Sequence, residues 1–117
     1  METFYVKCRI GHTIDRKQFV YVPQMMVSTE NRHTWVPSKL LEQIGVEREQ
    51  KTVDFILSNG KCLTRHVGFA IVRWGRHFTV DEVVFCENDD VPLLGTRSLE
   101  GLNLIVDLPH NRLISPR

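Results

Sequence analysis

The dipeptide Asn59-Gly60 constrains the fold of this chain more than any other feature of its sequence. It lies between two segments rich in β-branched and aromatic residues, one from Thr52 to Leu57 and one returning from Cys62 toward Val72. Asparagine and glycine both tolerate positive φ, so this pair between two such segments is a strong signal for a two-residue β-hairpin. The sequence around it therefore predicts a mostly β domain.

Several other stretches have the character of strands. From Phe4 to Ile10 the chain partly alternates apolar and polar residues, the period-two pattern of a half-buried strand. Pro23 cannot donate to a strand ladder, so it predicts a sheet edge or a bulge. Asp81 and Glu82 fall within a predicted strand and are interpreted as part of its charged outward face. The further strands are predicted at residues 18–22, 78–86, 104–108 and 112–114.

Two segments change to a helical period. In residues 38–44 the apolar side chains fall on one stripe, and Gly45 is placed to end the helix. Thr96 is predicted to cap a second helix that runs to Leu102, which Gly101 keeps short. Together the segments predict a single all-β domain, residues 1–117, built as a small barrel or sandwich with two short helices.

Charge and cysteine content exclude several classes of protein. The 117 residues contain 15 Lys and Arg against 14 Asp and Glu, and the net charge of +1 argues against a nucleic-acid binder. The cations are scattered, and the three cysteines lack CxxC spacing, which predicts reduced thiols. The sequence shows no signal-peptide pattern and no apolar run of ~20 residues, so we expect a cytoplasmic protein with no membrane partner. No motif predicts a metal or another cofactor.

Two motifs occur in an order that is found in a known enzyme family. Residues 25–37 read Met-Met-Val-Ser-Thr-Glu-Asn-Arg-His-Thr-Trp-Val-Pro, and residues 91–95 read Val-Pro-Leu-Leu-Gly before a helical pattern. With the helix after Pro37 and the hairpin at Asn59-Gly60 between them, they resemble the retropepsin-like aspartic proteases. The resemblance covers nearly the whole chain. It implies a retropepsin-like acid-protease barrel that works as a homodimer, with Asn59 and Gly60 in the mobile flap. The family's second motif corresponds to Leu93, Leu94 and Gly95.

The resemblance fails at the residue that carries the chemistry. The family motif is apolar-apolar-Asp-Thr-Gly, in which the Asp is catalytic; here Ser28 takes the Asp position, Thr29 matches, and Glu30 takes the glycine position. Such enzymes need one carboxylate from each chain, and the two share a proton. A serine hydroxyl does not titrate near neutrality, and a serine nucleophile would need an adjacent base. We expect Glu30 to face solvent or Arg32, and the resemblance implies that Thr29 locks the two loops across the dimer.

These motifs predict a protease homologue that has lost catalysis. It would keep a dimeric cleft under the flaps, where an extended peptide or protein segment could be held by strand addition. Two alternatives stay open. One is an active aspartic endopeptidase, in which Glu30 supplies the acid or an aspartate at position 28 has been replaced. The other is a structural or interaction domain without a cleft function.

Overall fold

The strands predicted from the sequence are present in the computed structural model, which describes residues 3–116. The strands of this part are β1 (Tyr5–Gly11), β2 (Phe19–Val27), β3 (Thr34–Pro37), β4 (Thr52–Ile56), β5 (Cys62–Trp74), β6 (His77–Cys86), β7 (Leu93–Leu94), β8 (Ile105–Asp107) and β9 (Arg112–Ile114). The helices are α1 (Ser38–Gln43), α2 (Thr96–Leu102) and a 3-10 turn at Leu108–His110. The prediction of a mostly β domain with two short helices is confirmed.

The large sheet closes on itself. Its strands follow the order β1-β2-β7-β3-β6-β5-β4, and β1 also pairs with β5. Six strands therefore form a barrel, while β4 extends beyond it as the outer arm of the β4–β5 hairpin. Strands β8 and β9 form a separate two-stranded sheet. Of the two predicted architectures, barrel and sandwich, the pairings correspond to the barrel.

Strand β7 passes between two strands that the chain joins directly. It runs parallel to β2, with Met26 opposite Leu93 and Val27 opposite Leu94. On its other side it runs antiparallel to β3, where Trp35 is opposite Leu93. Because β2 and β3 are connected by the loop 28–33, this insertion fixes the loop at the end of β7.

The barrel interior is filled by the inward residues of these strands. The predicted alternation of the first strand is confirmed, because Phe4, Cys8 and Ile10 are buried. A second cluster lies beneath the β4–β5 hairpin, with Phe55 packed against it; its buried members are Trp35, Val67, Val84, Cys86 and Leu93. The hairpin is thus anchored through its apolar side to the part of the sheet that contains β7.

Three local predictions need correction. At the hairpin tip only Gly60 has positive φ, and Leu57 pairs with Lys61, so the loop has three residues rather than two. The N-cap of α2 is Gly95, and Thr96 is its first helical residue. Asp81 and Glu82 do not form an outward charged face, since both are buried.

Two other predictions are confirmed, the bulge at Pro23 and the free cysteines. In the pairing of β1 with β2, Val6 is opposite Met25 and Cys8 is opposite Val22. The register therefore shifts between these two pairs, and the extra residue forms a bulge at Pro23. The three cysteines are free thiols, two of them buried. Among residues 3–116, no helix is long and apolar enough to cross a membrane.

Candidate functional site

Ser28 is the first residue after β2, and its side chain is buried at 7% exposure. Its Oγ accepts hydrogen bonds from the backbone N–H of Glu30 at 3.3 Å, the backbone N–H of Asn31 at 3.0 Å and Asn31 Nδ2 at 2.9 Å. Its own backbone N–H donates to the Leu94 carbonyl at 3.0 Å. The described partners of the hydroxyl are all donors, so none of them can take its proton. The group is held as an acceptor and is not activated as a nucleophile.

The second motif holds the loop 28–33 from its other side. The backbone N–H groups of Thr96 and Arg97 donate to the carbonyls of Asn31 and Arg32 at 2.8 and 3.1 Å. Gly95 packs so tightly on the loop that an added Cβ would overlap the carbonyl oxygen of His33. The structure therefore brings Leu94 and Gly95 to the Ser28 loop.

A buried chain of hydroxyls supports this junction. Ser98 Oγ donates to Asp81 Oδ2 at 2.8 Å, and since a carboxylate only accepts, Thr34 Oγ1 is the donor in its 2.6 Å bond to Ser98 Oγ. Thr34 Oγ1 also accepts the N–H of Gly95 at 3.0 Å. The oxygens of Thr34, Ser98 and Asp81 in this network are all hydrogen-bonded, which removes the cost of burying them. This network positions the loop and leaves no free base there.

A second buried carboxylate joins the loop to the base of the hairpin. Glu82 contacts Nε2 of His33 at 3.2 Å and Nζ of Lys51 at 2.5 Å. The ring of His33 packs edge-on against Phe55, with centroids 5.4 Å apart. Burial by itself would raise the pKa of Glu82, but the hydrogen bonds and charges of Lys51 and His33 outweigh it and hold this pKa below its ordinary value.

Glu82→Gln is expected to lower the free energy of unfolding at pH 7 by about 2 kcal/mol, because it weakens two charge-assisted hydrogen bonds. A folded-state pKa below the unfolded value adds stability above the unfolded pKa, and that stability is lost as the pH falls through the folded value. The difference between wild type and variant should therefore shrink below the ordinary pKa of 4.5. Urea denaturation from pH 7 to pH 3 measures this difference.

The matched control is Glu42→Gln. Glu42 also forms an ion pair, with Arg48 at 2.7 Å, but both side chains are more than a third exposed. Exposed pairs contribute at most about 1 kcal/mol, so this variant should stay close to wild type at every pH. Equal effects of the two substitutions would mean that Glu82 is not stabilised by Lys51 and His33.

The remaining predicted site residues lie at the surface. Thr29 and Glu30 are exposed, and with Ser28 they border a depression of about 270 Å³. Leu108 also borders this depression, although no motif in the sequence marked it as a site residue. Asn59 and Gly60 are exposed at the hairpin tip, and no described hydrogen bond joins them to the Ser28 loop. The hairpin reaches the loop through Phe55, whose ring centre lies 5.4 Å from that of His33.

The buried thiols offer no alternative nucleophile. Burial raises the pKa of Cys8 and of Cys86 to about 12, so both stay protonated at neutral pH.

No protein-family model matches the chain, and no curated protein or solved structure matches it.

Proposed function

We propose that this protein is a retropepsin-like aspartic-protease homologue that has lost catalysis and binds an extended peptide in a cleft formed by two copies. The observation that carries the proposal is the state of the Ser28 hydroxyl. It occupies the position of the family's catalytic acid, and its oxygen is surrounded by three N–H donors. Such an environment suits a carboxylate, yet the residue in it is an alcohol that cannot share a titrating proton.

The arrangement of the two motifs supports the family assignment within the proposal. The Ser28 loop and the Leu93–Leu94 strand are far apart in sequence, and the barrel places them side by side. The loop is tied to α2 by two backbone hydrogen bonds. A loop fixed this firmly by its backbone could present a side chain at a constant position, as a shared acid pair would require.

The surroundings of Ser28 support the loss of catalysis. Glu30 is exposed, and within residues 3–116 its carboxylate has no described hydrogen bond or ion pair to hold it. Asp81 and Glu82 are engaged by Ser98, Lys51 and His33. A carboxylate that performs acid catalysis must be held in position and free to exchange its proton.

The surface around the Ser28 loop and the free edge of β4 support the proposed binding of a second copy and of a peptide. Leu108 borders the depression and is 43% exposed. Exposed apolar residues at such a site favour contact with another chain. Within residues 3–116, β4 is the terminal strand of the large sheet, so one of its edges is free to pair with an extended peptide.

Purified protein is expected to show no pepstatin-sensitive cleavage of unfolded peptides between pH 3 and pH 7, because no acid pair is available at Ser28. Mass spectrometry of the peptide products over several hours measures this. Pepstatin-sensitive cleavage that Glu30→Gln abolishes would contradict the proposal and would identify Glu30 as the acid. The same substitution should leave the unfolding midpoint unchanged, since Glu30 is exposed.

A further inference from the structure

The outer face of the barrel carries a row of two arginines between two aromatic rings. Tyr21, Arg9, Arg73 and Phe78 are directly opposite one another across the strands β2, β1, β5 and β6. Their neighbours Ile10 and Val72 are fully buried, so the alternation of the strands directs this row to the outside. Tyr21 and Phe78 are 51% and 53% exposed.

The next outward row is apolar and contains a notch. Phe19, Gly11, Ile71 and Val80 follow one another across the same four strands. Gly11 has no side chain, and a depression of about 60 Å³ lies over it. Besides members of the two rows, this depression is lined by His12 and Arg16, and no carboxylate borders it. We call the two rows together the arginine–aromatic face.

The positive charge of this face has no counter-charge in the described chain. Arg9 and Arg73 are opposite each other, an arrangement in which like charges repel. Neither forms an ion pair within residues 3–116. The guanidinium of Arg9 lies 3.8 Å from the ring centre of Phe19, and that of Arg73 lies 5.4 Å from that of Phe78. The stacking holds the two groups in place but does not neutralise them.

We propose that the arginine–aromatic face binds an acidic, partly apolar segment of another protein. A carboxylate of that segment would accept hydrogen bonds from Arg9 and Arg73, and an apolar side chain beside it would enter the notch over Gly11. Arginine binds carboxylates in paired geometry, and arginine and aromatic residues are enriched at the centres of protein interfaces. The unpaired cations supply the charge complementarity, and the apolar row supplies the area that is removed from water.

The same features argue against two other occupants. A second copy that packed face to face would set one arginine pair against another, and neither row contains an acidic residue to relieve the repulsion. A single-stranded nucleic acid would use the cations and rings but would leave Val80, 56% exposed, without a role. The face therefore suits an acidic protein segment better than a nucleic acid.

The proposed site is separate from the Ser28 loop. Tyr21 lies near the start of β2, and Ser28 is the first residue after its end. This separation of seven residues corresponds to roughly 20 Å in an extended strand. Loss of peptide binding at one site thus leaves the other testable.

The test is a selection from a random peptide display library on immobilised wild-type protein. We expect the selected peptides to combine Asp or Glu with aromatic or aliphatic residues. A synthetic peptide from the selection should lose affinity about tenfold or more in fluorescence anisotropy when Arg9→Glu and Arg73→Glu are combined. Its affinity should also fall as salt rises.

The matched control combines Lys39→Glu and Lys61→Glu, which change the net charge equally at exposed positions away from both rows. It should bind like wild type. Arg73→Gln, a milder change, serves if the double glutamate variant does not fold. The proposal is overturned if the selected peptides lack acidic residues or bind the arginine variants as well as wild type. It is also overturned if a thymidine 20-mer binds this face instead, or if the same arginine changes abolish self-association of the protein.

Discussion

Gly95→Ala is expected to lower the free energy of unfolding by about 3 kcal/mol, or to prevent folding altogether. An added Cβ would overlap the carbonyl group of His33 and would lie 2.6 Å from the carbonyl oxygen of Arg32. These are backbone atoms, which cannot move aside as the end of a flexible side chain can. The Arg32 carbonyl also accepts the N–H of Arg97, so relief of the overlap would break the contact between the loop 28–33 and α2.

Gly11→Ala is the matched control for this substitution. A Cβ at position 11 would meet its neighbours at 3.7 to 3.9 Å, which is ordinary van der Waals contact. Its effect should stay within about 1 kcal/mol and can be stabilising, because alanine loses less backbone entropy than glycine. Urea denaturation of both variants gives the comparison. If Gly95→Ala unfolded at the wild-type midpoint, the loop and α2 would not be packed as closely as the structure has them.

The secondary structure was largely predictable because it depends on local patterns. The helix predicted at residues 38–44 is present as Ser38–Gln43, and the alternation from Phe4 to Ile10 follows the burial of β1. Strand β7 was not predictable as a strand, since it has only two residues. Its position between β2 and β3 and the pairing of β1 with β5 depend on contacts between distant segments, which no local pattern encodes.

The polar residues around the site show the same limit. Asp81 and Glu82 are adjacent on a strand, so their side chains point to opposite faces and cannot form one outward surface. The sequence contained a signal for Asp81, which shares its face with the apolar residues Val83 and Phe85. Glu82 had the same signal, since it shares its face with Val84 and Cys86. Its partners Lys51 and His33 were not predictable, because they come from other elements. Arg9 and Arg73 appeared scattered for the same reason: only the pairing of β1 with β5 brings them together.

The combined substitution of Ser28→Asp and Glu30→Gly is expected to create pepstatin-sensitive proteolysis, at least about 100-fold above the wild-type background. The three N–H donors that now surround the Ser28 oxygen can donate to a carboxylate in its place and would favour its ionised form. Glycine at position 30 restores the residue of the family motif and removes an exposed acid. In a dimer, the two new carboxylates would share one proton, so activity should be greatest at acidic pH.

Two further variants separate the chemistry from the assembly. Ser28→Asn with Glu30→Gly matches aspartate in size but supplies no acid, so it should dimerise and remain inactive. Leu108→Asp, added to the active variant, places a charge at the exposed rim of the Ser28 depression and should yield an inactive monomer in sedimentation analysis. If the Ser28→Asp, Glu30→Gly protein folds and dimerises but cleaves nothing, two copies do not bring their Ser28 loops together. In that case the barrel would be an interaction domain, and its function would depend on surfaces such as the arginine–aromatic face.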